Sequence, residues 1–274
     1  MSRYTVKDAN ASVTTTELLK RKQAGEKISV VTCYDAAFGR IVENSPVDVV
    51  LVGDSLGNVM LGFDSTLPVT VDHMIHHASA VTRVVRRPLV VVDMPFMSYQ
   101  VSVEDCLRNC GRVIKESGAQ AVKLEGGRRI VPQVAALVEA GIPVMGHLGL
   151  TPQSVHTLGG YKVQGKGSEA RKAMIEDARV LTTAGIFALV LEMVPADLAA
   201  EITAAIEVPT IGIGAGGGCD GQVLVLHDLL GFDQDFNPKF LKKYANLGAV
   251  IAEALVTYDK EVKAGAFPQT KNQF

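Results

Sequence analysis

Five apolar, β-branched runs in this 274-residue chain close on ionisable groups. VDVVLVG (47–53) is followed by Asp54 and Ser55, and PLVVVDM (88–94) carries Asp93. QAVKLE (120–125) carries Lys123 and Glu125, IPVMGHL (142–148) carries His147, and FALVLE (187–192) ends in Glu192. One carboxylate closing an apolar run commonly caps the next helix or turn. Four of them directed at one mouth would repel each other and rise in pKa unless a cation held them, so the repetition points to a bound divalent metal. Oxygen donors without paired His or Cys favour Mg²⁺ over Zn²⁺. Lys123, set in an apolar strand, is placed to be a nucleophile whose pKa is depressed by its surroundings. His147 belongs to the same set of strand-end groups, or is a structural histidine satisfied by backbone.

Other patterns in the chain are outweighed as sites. DHMIHHASAV puts His73 and His77 at i and i+4 with His76 beside them, a zinc-compatible spacing, but no Glu follows the first His as a metalloprotease helix requires. A partly exposed helical face accounts for it. GIGAGGG (212–218) contains a formal G-x-G-x-x-G after a strand, yet the following DGQVLVLHD reads as strand and not as the helix a phosphate loop needs. Tight turns at the barrel top, close to a ligand, explain it as well. Cys33, Cys106, Cys110 and Cys219 show no CxxC or disulfide spacing and are expected as small buried hydrophobes.

The runs that must position these residues are eight: 28–33, 47–53, 88–94, 120–125, 142–148, 187–192, 208–214 and 222–228. They lack clean apolar/polar alternation, as strands of a parallel sheet do when helices cover both faces. Helical patterns separate them. Ser102 caps one whose apolar face is Val103, Cys106, Leu107, Cys110, Val113 and Ile114 and whose end is Gly118. Others are Phe38, Ile41 and Val42 after Asp35; Met174, Ala178 and Leu181 before Gly185; and Leu198, Ile202 and Ala205 after Pro195. The alternation, with no linker-like tract, predicts a single (β/α)₈ TIM barrel spanning 1–274, in which chemistry belongs at the C-terminal strand ends. A polar tail (about 1–13) and a helical extension (about 238–265) flank it, the latter with Phe240, Tyr244, Leu247, Ile251 and Leu255 on one stripe.

Composition agrees with an enzyme of this kind. The chain is 47% hydrophobic, enough for a large core, and 27 Lys plus Arg against 29 Asp plus Glu leave a net charge of −2, which argues against nucleic acid. The mean hydropathy of +0.21 comes from short runs, none near the roughly 18 apolar residues of a membrane span. With no basic start leading into an apolar stretch, a cytoplasmic protein is expected.

VGDSLG (52–57), DSTLPVT (64–70), DMPF (93–96), KLEGG (123–127), GHLGLTPQS (146–154), GGYKVQGKG (159–167), LEMVP (191–195) and IGIGAG (211–216) together resemble the ketopantoate hydroxymethyltransferase family, from about Thr14 to Phe267. The resemblance implies a Mg²⁺-dependent transfer of a one-carbon unit from 5,10-methylenetetrahydrofolate to 3-methyl-2-oxobutanoate, giving 2-dehydropantoate on the way to pantothenate and coenzyme A. Carried over, it implies metal at Asp54, Asp93 and Glu125. Ser55 and Lys123 would hold the substrate carboxylate, with His147 nearby, and Glu192 would be the base at C3. It further implies a homo-oligomer, a decamer.

Rival readings are a Mg²⁺-dependent 2-oxoacid lyase or mutase of the phosphoenolpyruvate mutase type, a Schiff-base enzyme using Lys123, and a non-catalytic folate- or nucleotide-binding barrel using the Gly212–Gly218 turn. The lysine readings separate by experiment. An ion-pairing Lys123 predicts that Lys123→Arg keeps measurable turnover and that borohydride with substrate traps nothing, whereas an imine-forming lysine predicts trapping and an inert Arg variant.

Overall fold

Parallel pairing of eight short β-branched segments closes a barrel in the order β1 to β8, with β8 returning to β1. The computed structural model describes residues 12–274. The strands are β1 (Ile28–Thr32), β2 (Val49–Val52), β3 (Leu89–Asp93), β4 (Ala121–Glu125), β5 (Val144–Gly149), β6 (Ala188–Glu192), β7 (Thr210–Ile213) and β8 (Gly221–Leu224). Each falls within or close to its predicted run. The (β/α)₈ class is therefore the one observed.

Because side chains alternate along a strand, one set of positions fills the interior. Ile28 and Val30, Val49 and Leu51, Leu89 and Val91, Ala188 and Val190 belong to one buried cluster, with Ala121, Met145, Ile211 and Val223. Two residues further along the same faces stand Asp93, Lys123, His147 and Glu192, and four further on β4 stands Glu125. The apolar filling thus gives way to charge at the C-terminal end of the barrel. Val13 and Leu18 join the apolar cluster from the other side. Leu18 comes from the helix Thr15–Ala24, capped by Thr14 accepting from the Glu17 N–H at 3.2 Å and ended by Gly25 at φ 71°. Its sequence signals, T-x-x-E and a terminal Gly, lie in a segment read only as polar. Val13 is buried, so the tail ends before it; residues 1–11 lie outside the described residues.

The helix Val103–Ser117 has the expected caps at Ser102 and Gly118, and it buries Cys106 and Cys110. Ile41 departs from expectation. In the helix Ala36–Glu43 it is 66% exposed, while Gly39 and Val42 face inward. The run 222–228 divides: strand ends at Leu224 and a helical turn occupies Leu226–Leu229. No helix separates β7 from β8. The glycine-rich segment between them packs on the helix Ala196–Ala205, where a Cβ at Gly216 would lie 2.5 Å from the Ala196 Cβ and one at Gly218 2.8 Å from the Ala200 Cβ. Close helix packing therefore replaces the ligand turn expected there.

By contacts the chain divides after Leu224, the barrel forming one unit and Val225–Phe274 another. Within the second unit, Tyr244 N–H donates to the Leu229 carbonyl at 2.7 Å and Leu247 N–H to Leu230 at 2.9 Å. The helix there runs Leu247–Lys263, so Phe240 and Tyr244 precede it and are not on its stripe. Val250, Ile251 and Leu255 on it are exposed.

Gly149 joins fold to site. Its φ is 96°, and a Cβ there would come within 2.1 Å of the Glu192 carbonyl oxygen, so β5 and β6 approach at Glu192 only because this residue has no side chain. Gly149→Ala should lower stability by more than the ~1–3 kcal/mol of a strained backbone alone. Gly25→Ala, with a positive φ but nothing within 4 Å, should cost only that backbone strain. Denaturant midpoints of the two variants measure the difference.

Candidate active site

Strand register assembles the site. Asp93 on β3 is the cross-strand partner of Lys123 on β4, and Glu125 is the partner of His147 on β5. Glu192 on β6 pairs with Gly149, two residues beyond His147. Asp54 and Ser55 come from the turn after β2. All seven predicted residues therefore stand at one end of the barrel, and five are linked by short contacts. Lys123 Nζ lies 2.8 Å from Asp93 Oδ2, 3.7 Å from Glu125 Oε1 and 3.0 Å from His147 Nδ1. His147 Nδ1 is 3.3 Å from Glu125 Oε1 and its Nε2 3.3 Å from Glu192 Oε2. Asp54, Asp93 and Glu125 each offer a carboxylate oxygen, all within 4.8 Å of one another. Ser55 Oγ bonds the Tyr34 hydroxyl at 2.8 Å.

Burial makes these charges interact strongly. Asp54, Asp93, Lys123, Glu125 and His147 are almost inaccessible, while the Glu192 side chain is 20% exposed at the rim. Burial raises the Asp54 carboxyl well above its usual range, and the charges of Asp93 and Glu125 raise it further. Asp93 is raised by burial against the pull of Lys123. Glu125 goes the other way: burial would raise it, but His147, Lys123 and the Gln153 N–H hold it below the ordinary value. Burial would strip Lys123 of its proton, yet Asp93, Glu125 and Asp54 overcome this and hold the ammonium charged, a poor state for an imine-forming nucleophile. For His147, burial and Lys123 push down, Glu125 and Glu192 pull up, and the carboxylates prevail at about 9. Nδ1 serves one neighbour at a time: unprotonated it accepts from Lys123, protonated it donates to Glu125.

The burial and mutual repulsion that raise Asp54 and Asp93 are what a divalent cation held between them would offset. Asp93 Oδ1 is buried without a hydrogen-bond partner. An unsatisfied buried oxygen, three converging carboxylates and an all-oxygen donor set fit Mg²⁺ at Asp54, Asp93 and Glu125.

Reading strand ends for ionisable groups missed the neutral residues that hold this cluster. Gln153 Nε2 donates to Asp54 Oδ2 at 2.9 Å and to the Met94 carbonyl at 2.8 Å, and its backbone N–H donates to Glu125 Oε2 at 3.1 Å. Tyr99, fully buried, donates from its hydroxyl to Gln153 Oε1 at 2.9 Å and accepts from the Glu125 N–H at 3.1 Å. Gln153 lies in GHLGLTPQS, so the motif was legible and its role was not. The histidine helix is structural: His73 takes part in the capping box at Thr70, and His77 Nδ1 is 2.7 Å from the Tyr34 carbonyl. The four cysteines are buried and free.

A closed parallel barrel with charged groups gathered at its C-terminal mouth has the construction of a barrel enzyme. The family model described as ketopantoate hydroxymethyltransferase matches residues 12–270. Relatives named 3-methyl-2-oxobutanoate hydroxymethyltransferase from Carboxydothermus hydrogenoformans and Syntrophobacter fumaroxidans are 56% and 57% identical over 262 residues, covering 96% of this chain and 95% and 93% of theirs. The chain belongs to the ketopantoate hydroxymethyltransferase family and is an enzyme, a hydroxymethyltransferase. Solved structures share the fold at low identity: a phosphonopyruvate hydrolase in complex with oxalate and Mg²⁺ (TM-score 0.61, 10% identity, covering 95% of this chain and 93% of that one) and a 2,3-dimethylmalate lyase (0.60, 16%, covering 95% and 91%). Among the described residues no helix is long and apolar enough to cross a membrane.

Gln153→Leu keeps the volume and removes the amide that ties Asp54 to the rest. Partners behind a metal ligand typically contribute 10- to 100-fold in metal affinity or activity. Hydroxymethyltransferase activity should fall by about that factor, with Asp54 and Glu125 still present.

Proposed function

We infer that this enzyme transfers a hydroxymethyl group from 5,10-methylenetetrahydrofolate to C3 of 3-methyl-2-oxobutanoate, with Mg²⁺ at Asp54, Asp93 and Glu125, giving 2-dehydropantoate and tetrahydrofolate. The observation carrying this reading is the opposition in one mouth of a buried three-carboxylate cluster and a fourth, partly exposed carboxylate, Glu192, joined by His147. The names of relatives above 50% identity support the substrate.

When bound, the cation supplies Lewis acidity toward the oxygens of a 2-oxoacid, which makes C3 more acidic. The chain supplies the rest. Lys123, fixed by Asp93, presents a permanent positive charge for the substrate carboxylate, and the Ser55 hydroxyl adds a donor once Tyr34 occupies its other side. Glu192 accepts the C3 proton, since it is the carboxylate at the rim and stands outside the metal set. His147 Nε2, 3.3 Å away, orients Glu192 and steadies its charge. The carbanion equivalent at C3 then forms a C–C bond to the methylene carbon of the donor, water supplies the hydroxyl on that carbon, and both of its bonds to the folate nitrogens break, the nitrogens leaving as the N–H groups of tetrahydrofolate with the C3 proton and one proton of the water. The same reading includes a cytoplasmic enzyme and a decameric assembly; the exposed Val250, Ile251 and Leu255 supply apolar surface for contacts between subunits.

Proton removal precedes the folate step, so wild-type enzyme with Mg²⁺ should exchange the C3 hydrogen of 3-methyl-2-oxobutanoate with deuterated water in the absence of folate. Glu192→Gln keeps the shape but cannot take a proton, and exchange should fall by about 10² to 10⁴, the usual contribution of a general base. EDTA should abolish both exchange and formation of 2-dehydropantoate. Exchange at the wild-type rate in the Gln variant would move the base elsewhere.

A further inference from the structure

The mouth holds a second hollow that the steps above leave unused. It measures about 290 Å³, and Asp64, Ser65, His156 and Tyr161 are among the residues that line it. The walls belong to the segments after β2 and β5, so the hollow opens at the same end of the barrel as the carboxylates. The Gly159–Gly167 strap that carries Tyr161 is pinned beside the reacting end of β6, because Gln164 N–H donates to the carbonyl of Met193, the residue after Glu192, at 2.9 Å. Tyr161 is 59% exposed. Partial burial and the charges of Glu192 and Asp54 raise its phenol above the usual range. Neither the Asp64 carboxylate nor the Tyr161 hydroxyl has a hydrogen bond or ion pair among the described residues.

An exposed carboxylate and an exposed aromatic ring lining one hollow suit a flat heterocycle that presents adjacent N–H donors. A carboxylate accepts two parallel N–H bonds, and an aromatic face stacks on a heterocycle of any sequence of substituents. A negatively charged wall disfavours a phosphate or carboxylate ligand in the same place. We propose that this hollow receives the pteridine ring of the folate donor, with Asp64 accepting from the N–H groups of its 2-amino-4-oxo edge and Tyr161 lying against its face. The volume admits a bicyclic ring and not a whole folate, so the glutamyl tail leaves along the strap, where exposed Lys162 and Lys166 offer positive charge. The proposal rests on methylenetetrahydrofolate being the donor and adds where and how it is held.

Steady-state kinetics in both substrates, together with folate-free C3 exchange, test it. Asp64→Asn replaces half of the acceptor pair by a donor, and the KM for methylenetetrahydrofolate should rise about 10- to 100-fold, the range of a charge-assisted hydrogen bond. Tyr161→Ala should raise the same KM about 10-fold through lost stacking. The KM for 3-methyl-2-oxobutanoate and the folate-free exchange report separately on the ketoacid site, and the proposal expects the loss to fall on the donor side. A donor KM within twofold of wild type in both variants overturns it. So does a parallel loss of exchange and turnover, which would put these residues at the ketoacid. Wild-type enzyme that exchanges the C3 hydrogen but makes no product with methylenetetrahydrofolate would overturn the donor reading itself, a failure visible before any variant is made.

Discussion

Lys123 is 3% exposed, with Asp93 Oδ2 at 2.8 Å and Glu125 Oε1 at 3.7 Å, so its charge is removed from water almost entirely. Burying an ion costs several kcal/mol even after the surroundings relax, and the cost is offset only if partners stand in good geometry with their own hydrogen bonds satisfied. Much of the mouth can be understood as meeting that condition. Asp93 and Glu125 flank the ammonium from the neighbouring strand and from its own. Gln153 and Tyr99 hold Asp54 and Glu125 in turn. One carboxylate oxygen, Asp93 Oδ1, is left without a hydrogen bond in the group that Asp93 forms with Asp54 and Glu125.

Such a network needs a frame that does not yield, and a barrel provides one. Register between β3, β4 and β5 puts Asp93 beside Lys123 and Glu125 beside His147 through backbone hydrogen bonds, independent of the side chains. The apolar layers below, from Val91 to Val190, fill the interior and force the charged residues to the open end. Glu192 is held differently. Its strand comes close to β5 at Gly149, whose missing Cβ allows the approach, and its side chain remains partly open to the incoming substrate. A buried ammonium and a more accessible carboxylate thus stand in two environments within one mouth.

Patterns that looked chemical by spacing turn out to be packing devices. Gly216 and Gly218 are small because the helix Ala196–Ala205 presses on them, and β8 follows where a phosphate loop would continue as helix. His73 and His77 point to different partners, one a helix cap and the other the Tyr34 carbonyl, so their i, i+4 spacing never becomes a shared ligand. Spacing along a chain says which side chains share a face, and only the neighbours of that face say what they do.

The strands, their parallel class and the charged residues at their ends were legible in the sequence, because burial on both faces demands continuous β-branched runs and a polar residue interrupting such a run is conspicuous. Helix ends at Ser102, Gly118 and Pro195 were legible for the same local reason: caps are chosen by backbone geometry within a few residues. Ile41 on an exposed face, the start of the final helix at Leu247 and the missing helix between β7 and β8 were not, since each depends on what lies across from the segment and not on the segment itself. The same limit applies to the site. Sequence alone supplied Asp54, Asp93, Lys123, Glu125, His147 and Glu192 as candidates, whereas the tertiary structure decided that Gln153 and Tyr99 join them and that Lys123 stays charged, because hydrogen bonds between residues 54 and 153 and the loss of solvent around an ammonium exist only once the strands have closed.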